Sequence, residues 1–254
     1  MLLSVHEWGP TPSSETIRFA ERVLEEGPRD LRAKAVALKV IAHMRAMSGS
    51  LEEARRAMLQ SKEIMLDLGF SWGFESVLDH NVVEMFGGDL REGERELREQ
   101  LDTGSPVWER GEWVALGTAV LASNVCEQGR YEEAEQLARK AGELEIEHVW
   151  PRVTWRSTLG LSLARLGRID EGLPIARESA ALVAESDGLQ LRAETLLRLA
   201  QVLRLAGQHD EALSVAARAI ELSEAKGDVY SAGRARAFLE EAPGAAAGTP
   251  YLHG

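Results

Sequence analysis

Apolar residues recur along most of the chain at intervals of three and four positions, which is the spacing that places them on one face of an α-helix. One run shows this rhythm at Ala193, Leu196, Leu197, Ala200 and Leu203. No segment keeps the strict alternation of a half-buried strand, so no strands are predicted. The pattern predicts twelve helices, at 14–26, 30–47, 50–69, 72–86, 89–103, 108–127, 130–145, 151–166, 169–186, 189–206, 208–226 and 228–241.

A six-residue phrase recurs five times within this pattern. It consists of a glycine, a polar residue, a third residue, two positions rich in acidic residues, and a small residue. The phrase begins at Gly49, Gly88, Gly129, Gly167 and Gly207, at intervals of 39, 41, 38 and 40 residues. Such regularity indicates a repeat architecture in which each unit covers the apolar face of the next.

Each part of the phrase has a physical role. The glycine follows an apolar helix and can adopt the left-handed conformation that ends it. Ser50 and Asp89 are helix-capping residues, and Ser50 with Glu53 has the capping-box spacing. The acidic residues interact favourably with the positive end of the second helix's dipole. The small final residue lets the two helices of a hairpin approach closely.

The fold expected from these features is all-α: an α-solenoid of helix hairpins with repeats of about 40 residues, wound into a right-handed superhelix. We assign residues 1–13 to an N-terminal extension and residues 14–242 to the solenoid. Residues 243–254 contain Pro, Gly and Ala with little to bury, so we expect a disordered tail.

Composition narrows the classes of partner. With 41 acidic and 29 basic residues, the formal net charge is -12, which disfavours nucleic acid and anionic membranes. The longest nearly apolar stretch, 113–122, is about half the roughly 20 residues of a membrane-spanning helix. Cys126 is the sole cysteine, so no intramolecular disulfide can form, and the chain lacks a secretory signal. We therefore expect a cytoplasmic protein.

The repeated phrase resembles the helix–turn–helix junction of tetratricopeptide repeats. Gly129, Tyr131 and Ala134 lie in that family's register, Ala141 matches its later small position, and Gly160 matches the glycine of its first helix. The interval of about 40 residues exceeds the family's usual 34. This departure implies longer helices than in the standard repeat.

A second resemblance covers almost the whole chain, and it is to the carboxy-terminal region of bacterial class III adenylate/guanylate cyclase proteins. It rests on Trp8-Gly9-Pro10-Thr11-Pro12 and on the stretches 122–135, 191–207, 224–229 and 231–236. In that family a cyclase domain and an AAA-type ATPase domain precede the helical repeats. Neither cyclase metal-binding aspartates nor a phosphate-binding loop occurs in this chain. The resemblance thus implies a regulatory portion, with cyclase and ATPase domains upstream in a longer parent chain.

No catalytic, cofactor-binding or metal-ligating residues are predicted. The six histidines are scattered, without metal-site spacing. Cys126 lies in an apolar helix with no adjacent histidine to activate it, so we interpret it as a small core residue. Neighbouring carboxylates such as Glu132 and Glu133 point to different sides of a helix and do not form an acid–base pair. We therefore expect a protein that is not an enzyme and needs no cofactor.

The remaining candidate site is the concave groove lined by the first helices of the hairpins. We place nine residues on that surface: Lys39, His43, Glu75, Ser123, Ser157, Arg165, Glu194, Gln201 and Arg204. Their mixed polarity suits a peptide with charged or amide groups, although each alone is equally compatible with a solvated helix position. We expect a protein-interaction scaffold of bacterial signal transduction. One alternative is a small-molecule-sensing domain of a cyclase–ATPase protein, and another is a hydrolytic enzyme on a helical scaffold if distant residues converge. A closed apolar pocket holding a perturbed acid would favour either alternative.

Overall fold

The computed structural model describes residues 2–26, 30–69, 74–102, 111–144 and 147–241. Within these ranges the regular structure is helical and contains no strand. The thirteen helices are α1 (Leu2–Trp8), α2 (Ser13–Glu26), α3 (Leu31–Met47), α4 (Leu51–Asp67), α5 (Phe74–Met85), α6 (Leu90–Asp102), α7 (Gly111–Glu127), α8 (Tyr131–Gly142), α9 (Val149–Arg165), α10 (Ile169–Val183), α11 (Leu189–Leu205), α12 (His209–Lys226) and α13 (Val229–Glu240).

All twelve predicted helices are present, as α2 to α13. Helix α1 was missed, because seven residues are too few to show a helical stripe. It lies in the segment predicted as an N-terminal extension, 1–13. The predicted disordered tail, 243–254, lies outside the described residues. No helix in the described ranges combines the length and apolar character needed to cross a membrane.

The turns between paired helices follow the predicted glycine rule with one exception. Gly49, Gly129, Gly167 and Gly207 all have positive φ angles, between 75° and 84°. In the second phrase the left-handed residue is Gly87, at φ 89°, and not Gly88, so the assignment of that turn to Gly88 was wrong. Two adjacent glycines offer the same conformational freedom, and sequence alone does not choose between them.

Of the two predicted helix caps, one is confirmed and one is wrong. The Asp89 carboxylate accepts hydrogen bonds from the backbone N–H groups of Arg91 (3.0 Å) and Glu92 (3.1 Å), which confirms it as the cap of α6. Ser50 makes no side-chain capping bond, so the predicted capping box with Glu53 is wrong. Because Ser50 has the spacing but not the contact, the sequence signature overstated its role.

Small residues hold the hairpins close, as expected. Ala54, Ala134 and Ala212 are almost fully buried. A close crossing joins α9 and α10, where a Cβ added to Gly172 would lie 2.5 Å from the backbone oxygen of Gly160. The small last residue of the phrase therefore sets the distance between the paired helices.

The chain divides into two compact units. Unit 1 comprises Met1–Val107, Asp187–Gln190 and Leu222–Ala232, and unit 2 comprises Trp108–Ser186, Leu191–Glu221 and Gly233–Gly254. The core of unit 1 is built around the fully buried Met44 and Met47 of α3. In unit 2 one apolar cluster centres on Leu159 and Leu163 of α9. Each unit therefore has buried apolar residues of its own among the described residues.

Within unit 1, hydrogen bonds from Lys226 of α12 link that helix to the amino-terminal residues 6–11. The buried Lys226 ammonium donates to the carbonyl oxygens of His6 (3.1 Å), Glu7 (2.7 Å), Gly9 (3.0 Å) and Thr11 (2.8 Å). Carbonyls at the end of a helix such as α1 have no partner within the helix. Lys226 supplies that partner from about 220 residues away, so the packing of unit 1 is not limited to hairpins adjacent in sequence.

Candidate functional site

The predicted groove residues of unit 1 occupy a polar cluster on α3. Lys39 forms an ion pair with Asp79 of α5 at 3.0 Å, and its side chain is partly exposed. The imidazole of His43, four residues later, lies 3.1 Å from the Glu7 carboxylate of α1, and both side chains are buried. The His43 side chain is therefore not presented to solvent. The side chain of Glu75 lies outside the described residues.

We call Lys39, His43, Glu7 and Asp79 the Asp79 cluster. Burial raises the pKa of Asp79 from 3.8 to about 6, an effect that Lys39 opposes and the negative charge of Glu7 reinforces. Aromatic rings adjoin the cluster, with Trp8 and Phe86 centred 4.6 and 5.7 Å from the His43 ring. Sequence spacing alone could not reveal this largely buried carboxyl group, whose side chain is 12% exposed and whose pKa is elevated.

The Asp79 cluster leads to a prediction about pH. The Asp79 pKa is higher in the folded chain than in the unfolded one, so the folded state binds the extra proton between about pH 4 and 6. The stability that Asp79 contributes is present at low pH and is lost as the pH rises through 6. We expect the unfolding free energy of the parent minus that of Asp79→Asn to fall by up to about 3 kcal/mol between pH 4 and 7.

Urea unfolding at several pH values would measure this difference. Asp67→Asn, which changes an exposed carboxylate in the same unit, is the matched control. A parent-minus-variant difference that stays level across the range for Asp79→Asn would contradict the assignment.

The predicted residues Ser123 (α7), Ser157 (α9) and Glu194 (α11) converge in unit 2 on one side chain. That side chain is Arg198 of α11, which is buried. Its guanidinium donates to Ser123 Oγ at 2.5 Å and Ser157 Oγ at 3.2 Å, and it pairs with Glu194 at 2.7 Å. Ser123 and Ser157 are themselves buried and thus are not open to solvent. Three of the selected positions therefore share one face, which is filled by an arginine that the sequence reasoning missed.

Glu127 was also missed, although it lies four residues after Ser123 on the same face of α7. Its carboxylate accepts from Arg198 at 3.3 Å and from Arg234 of α13 at 2.5 Å. Burial raises the pKa of Glu127, but the charges of Arg234 and Arg198 outweigh burial and hold that pKa below the ordinary value. Glu127 is therefore a charged acceptor between two guanidiniums. We call Arg198, Glu127, Ser123, Ser157 and Glu194 the Arg198 cluster.

The remaining predicted residues of unit 2 are Arg165, Gln201 and Arg204. The Arg165 guanidinium lies 5.9 Å from the Tyr131 ring, and its buried Nε has no hydrogen-bond partner in the described part of the chain. Gln201 is half-buried. Arg204 pairs with Glu241 at 2.9 Å and donates to the Phe238 carbonyl. Arg165 is thus the selected arginine with unused hydrogen-bonding capacity.

The one cysteine of the sequence does not supply a reactive thiol. Cys126 is buried, its pKa is raised to about 11 by burial, and its sulfur accepts a 3.6 Å contact from Ser162 Oγ. Such a thiol stays protonated at neutral pH and is a poor nucleophile. Among the described residues no group of three or more His, Cys, Asp or Glu side chains could hold a metal ion.

Comparison with known proteins identifies the type of repeat. A family profile described as Tetratricopeptide repeat matches residues 152–225, which is less than a third of the chain. A search of the curated proteins finds no match.

Solved structures match most of the chain. NprR in complex with its cognate peptide NprX aligns with a TM-score of 0.65 at 12% identity, covering 90% of this chain and 71% of that chain. A Rap protein complexed with competence and sporulation factor gives 0.61 at 15% identity, with 89% and 68% covered. BtubC from P. vanneervenii gives 0.54 at 16% identity, with 84% and 89% covered. At these identities the similarity shows the fold alone, an all-helical solenoid of the tetratricopeptide type.

Proposed function

We propose that this chain is a non-catalytic protein-interaction module that binds a peptide or protein segment on the first-helix face of unit 2. The observation that carries the proposal is the polar character of that face: the Arg198 cluster occupies it, and Arg165 at the end of α9 is partly exposed. Polar groups held in place by a helical scaffold can recognise the backbone and charged groups of an extended ligand. NprR, which shares the fold, was solved in complex with its cognate peptide NprX, and the Rap protein was solved in complex with competence and sporulation factor.

The wider setting that we propose is bacterial signal transduction in the cytoplasm. The resemblance to cyclase proteins suggests that the chain is the regulatory repeat region of a longer signalling protein, with cyclase and ATPase domains upstream. The tetratricopeptide match over 152–225 supports the interaction role, because stacked helical repeats form extended binding surfaces.

A small-molecule-sensing role is the second candidate, and Asp79 is the observation that favours it. Its buried carboxyl group, with a pKa of about 6, lies among Lys39, His43 and nearby aromatic rings. This is one of the two features expected of a sensor site, the other being a closed apolar pocket. A metabolite that raises the melting temperature of the parent but not of Asp79→Asn would favour sensing over peptide binding.

The interaction role can be tested with ligands selected from a random peptide library on the intact chain. We expect the affinity of such ligands, measured by fluorescence anisotropy, to fall at least tenfold in Arg165→Glu, because the reversed charge repels ligand carboxylates and removes a donor. Affinity should also weaken between low salt and physiological salt, where charges are screened over about 8 Å.

Arg218→Glu reverses an exposed arginine on α12 whose ion pair is local, with Glu221, and should leave affinity unchanged. Circular dichroism would verify that both variants remain folded. If selected ligands bind Arg165→Glu as tightly as the parent at low salt, the proposed binding face is wrong.

A further inference from the structure

Helix α13 and the residue that follows it place three side chains on the same face of unit 2 that we assign to ligand binding. Arg234 donates to the Glu127 carboxylate of α7 at 2.5 Å. Phe238 lies beneath the guanidinium of Arg204, whose carbon is 3.3 Å from the ring centre. Glu241, just after the helix, pairs with Arg204 at 2.9 Å. These residues are spaced i, i+4 and i+7, so they form one stripe of a helix.

Like the Arg198–Ser123 bond from α11 to α7, the contact between α13 and α7 is not one that stacking of adjacent repeats requires. In a solenoid each repeat contacts its immediate neighbours. The Arg234–Glu127 bond instead joins residues 107 positions apart, from α13 to α7, beyond the intervening first helices α9 and α11. Arg204 also makes the kinds of contact expected with a foreign helix, to a backbone carbonyl and a carboxylate. Helix α13 therefore behaves as a bound segment as well as the last element of the array.

We propose that α13 is an intramolecular occupant of the unit 2 binding face, and that the face accepts in its place a helical partner segment carrying an arginine, an aromatic residue and an acidic residue at i, i+4 and i+7. This inference rests on the proposed function and specifies its ligand. The arginine pairs with Glu127, the aromatic ring stacks under Arg204, and the acid pairs with Arg204.

The nature of the contacts makes exchange feasible. Both ends of the stripe are ion pairs with a partly exposed member, Arg234 at 29% and Glu241 at 38% side-chain exposure. A second helix with the same three residues at the same spacing would form the same two ion pairs, so the exchange loses neither of them. The attached helix nevertheless competes at an effective concentration of the order of millimolar. A free ligand must displace the attached α13, so occupancy by α13 lowers the apparent affinity of the unit 2 face for that ligand.

The test uses the full chain and a synthetic peptide of residues 228–241, labelled at its amino terminus. Asp228 caps this helix by accepting from the Ser231 N–H at 2.8 Å. Arg236→Lys in the peptide, joined to Glu240 by a lactam, holds the helix through its exposed side, because short free helices are marginal in water. Binding is measured by fluorescence anisotropy.

We expect the peptide to bind the Arg234→Ala chain at least tenfold more tightly than the parent chain. Without Arg234 the attached α13 binds the face more weakly, so the free peptide displaces it more readily. Arg218→Ala, which removes an exposed arginine elsewhere in unit 2, should behave as the parent. A peptide that itself carries Arg234→Ala should lose at least tenfold in affinity for the Arg234→Ala chain. If that chain is not folded by circular dichroism, Glu241→Gln provides a milder variant, with an expected gain of about threefold.

Equal peptide affinities for the parent and the folded variant would overturn the inference. So would equal binding of the two peptides. Neither result would touch the proposed function, which depends on library ligands and their response to Arg165→Glu. Loss of that response, with α13 exchange intact, would instead show that the face binds its own helix and not a foreign peptide.

Discussion

Replacing Lys226 with methionine is expected to lower the free energy of unfolding by about 3 kcal/mol or more. Methionine approximates the volume of lysine but cannot donate, so four carbonyl oxygens, one in a buried bond and three in partly buried bonds, lose their shared donor. A buried acceptor left without a hydrogen bond costs about 1–3 kcal/mol. Removing the desolvated charge offsets part of this loss, since burial already lowers the Lys226 pKa to about 8. That pKa still leaves the ammonium form dominant at pH 7.

Urea unfolding at pH 7 measures the effect, and Lys140→Met is the matched control. Lys140 is exposed on α8, so its replacement should change stability by no more than about 0.5 kcal/mol. A similar small change in Lys226→Met would show that the carbonyls of His6, Glu7, Gly9 and Thr11 find other donors. In that case Lys226 would not be what holds the amino-terminal segment in unit 1.

Replacing Gly172 with alanine should destabilise the chain by about 1–3 kcal/mol through overpacking. The new methyl group would lie 2.5 Å from the backbone oxygen of Gly160 and 3.1 Å from the backbone nitrogen of Ala164. Backbone atoms cannot rotate away as a side chain can, so α9 and α10 must separate. We therefore expect this separation to weaken the packing between α9 and α10 along the whole hairpin.

Gly233→Ala is the opposite case and serves as the control. Gly233 lies within α13, and a Cβ there would meet nothing within 4 Å. Alanine should stabilise such a helical position by about 0.5–1 kcal/mol. Thermal and urea unfolding of both variants would compare them, and a stabilising effect at Gly172 would refute the close helix crossing.

The local architecture could be predicted because its signals lie close together in sequence. Helical stripes, turn glycines and small residues at the hairpin crossing each act over a few residues. The prediction therefore located α2 to α13 and the close packing of Ala54, Ala134 and Gly172. Errors arose where two residues satisfied one local rule, as at Gly87 and Gly88, or where a side chain had the required spacing without the contact, as at Ser50.

The candidate site depends on contacts that no repeat period specifies. Periodicity placed Ser123, Ser157 and Glu194, which lie on three different helices, on the face formed by the first helices. It could not show that the Arg198 side chain fills the space between them. Nor could it identify Glu127 and Arg234 as partners 107 residues apart.

The sequence by itself determined the helices, their pairing and the polarity of their faces, since these follow from backbone geometry and the hydrophobic effect over short distances. Only the tertiary structure decided which polar residues are exposed. A buried serine or histidine looks the same in sequence as a solvated one, and the difference comes from whichever distant side chain packs against it. His43 meets Glu7, and Ser123 meets Arg198, because helices far apart in the chain are brought together by folding.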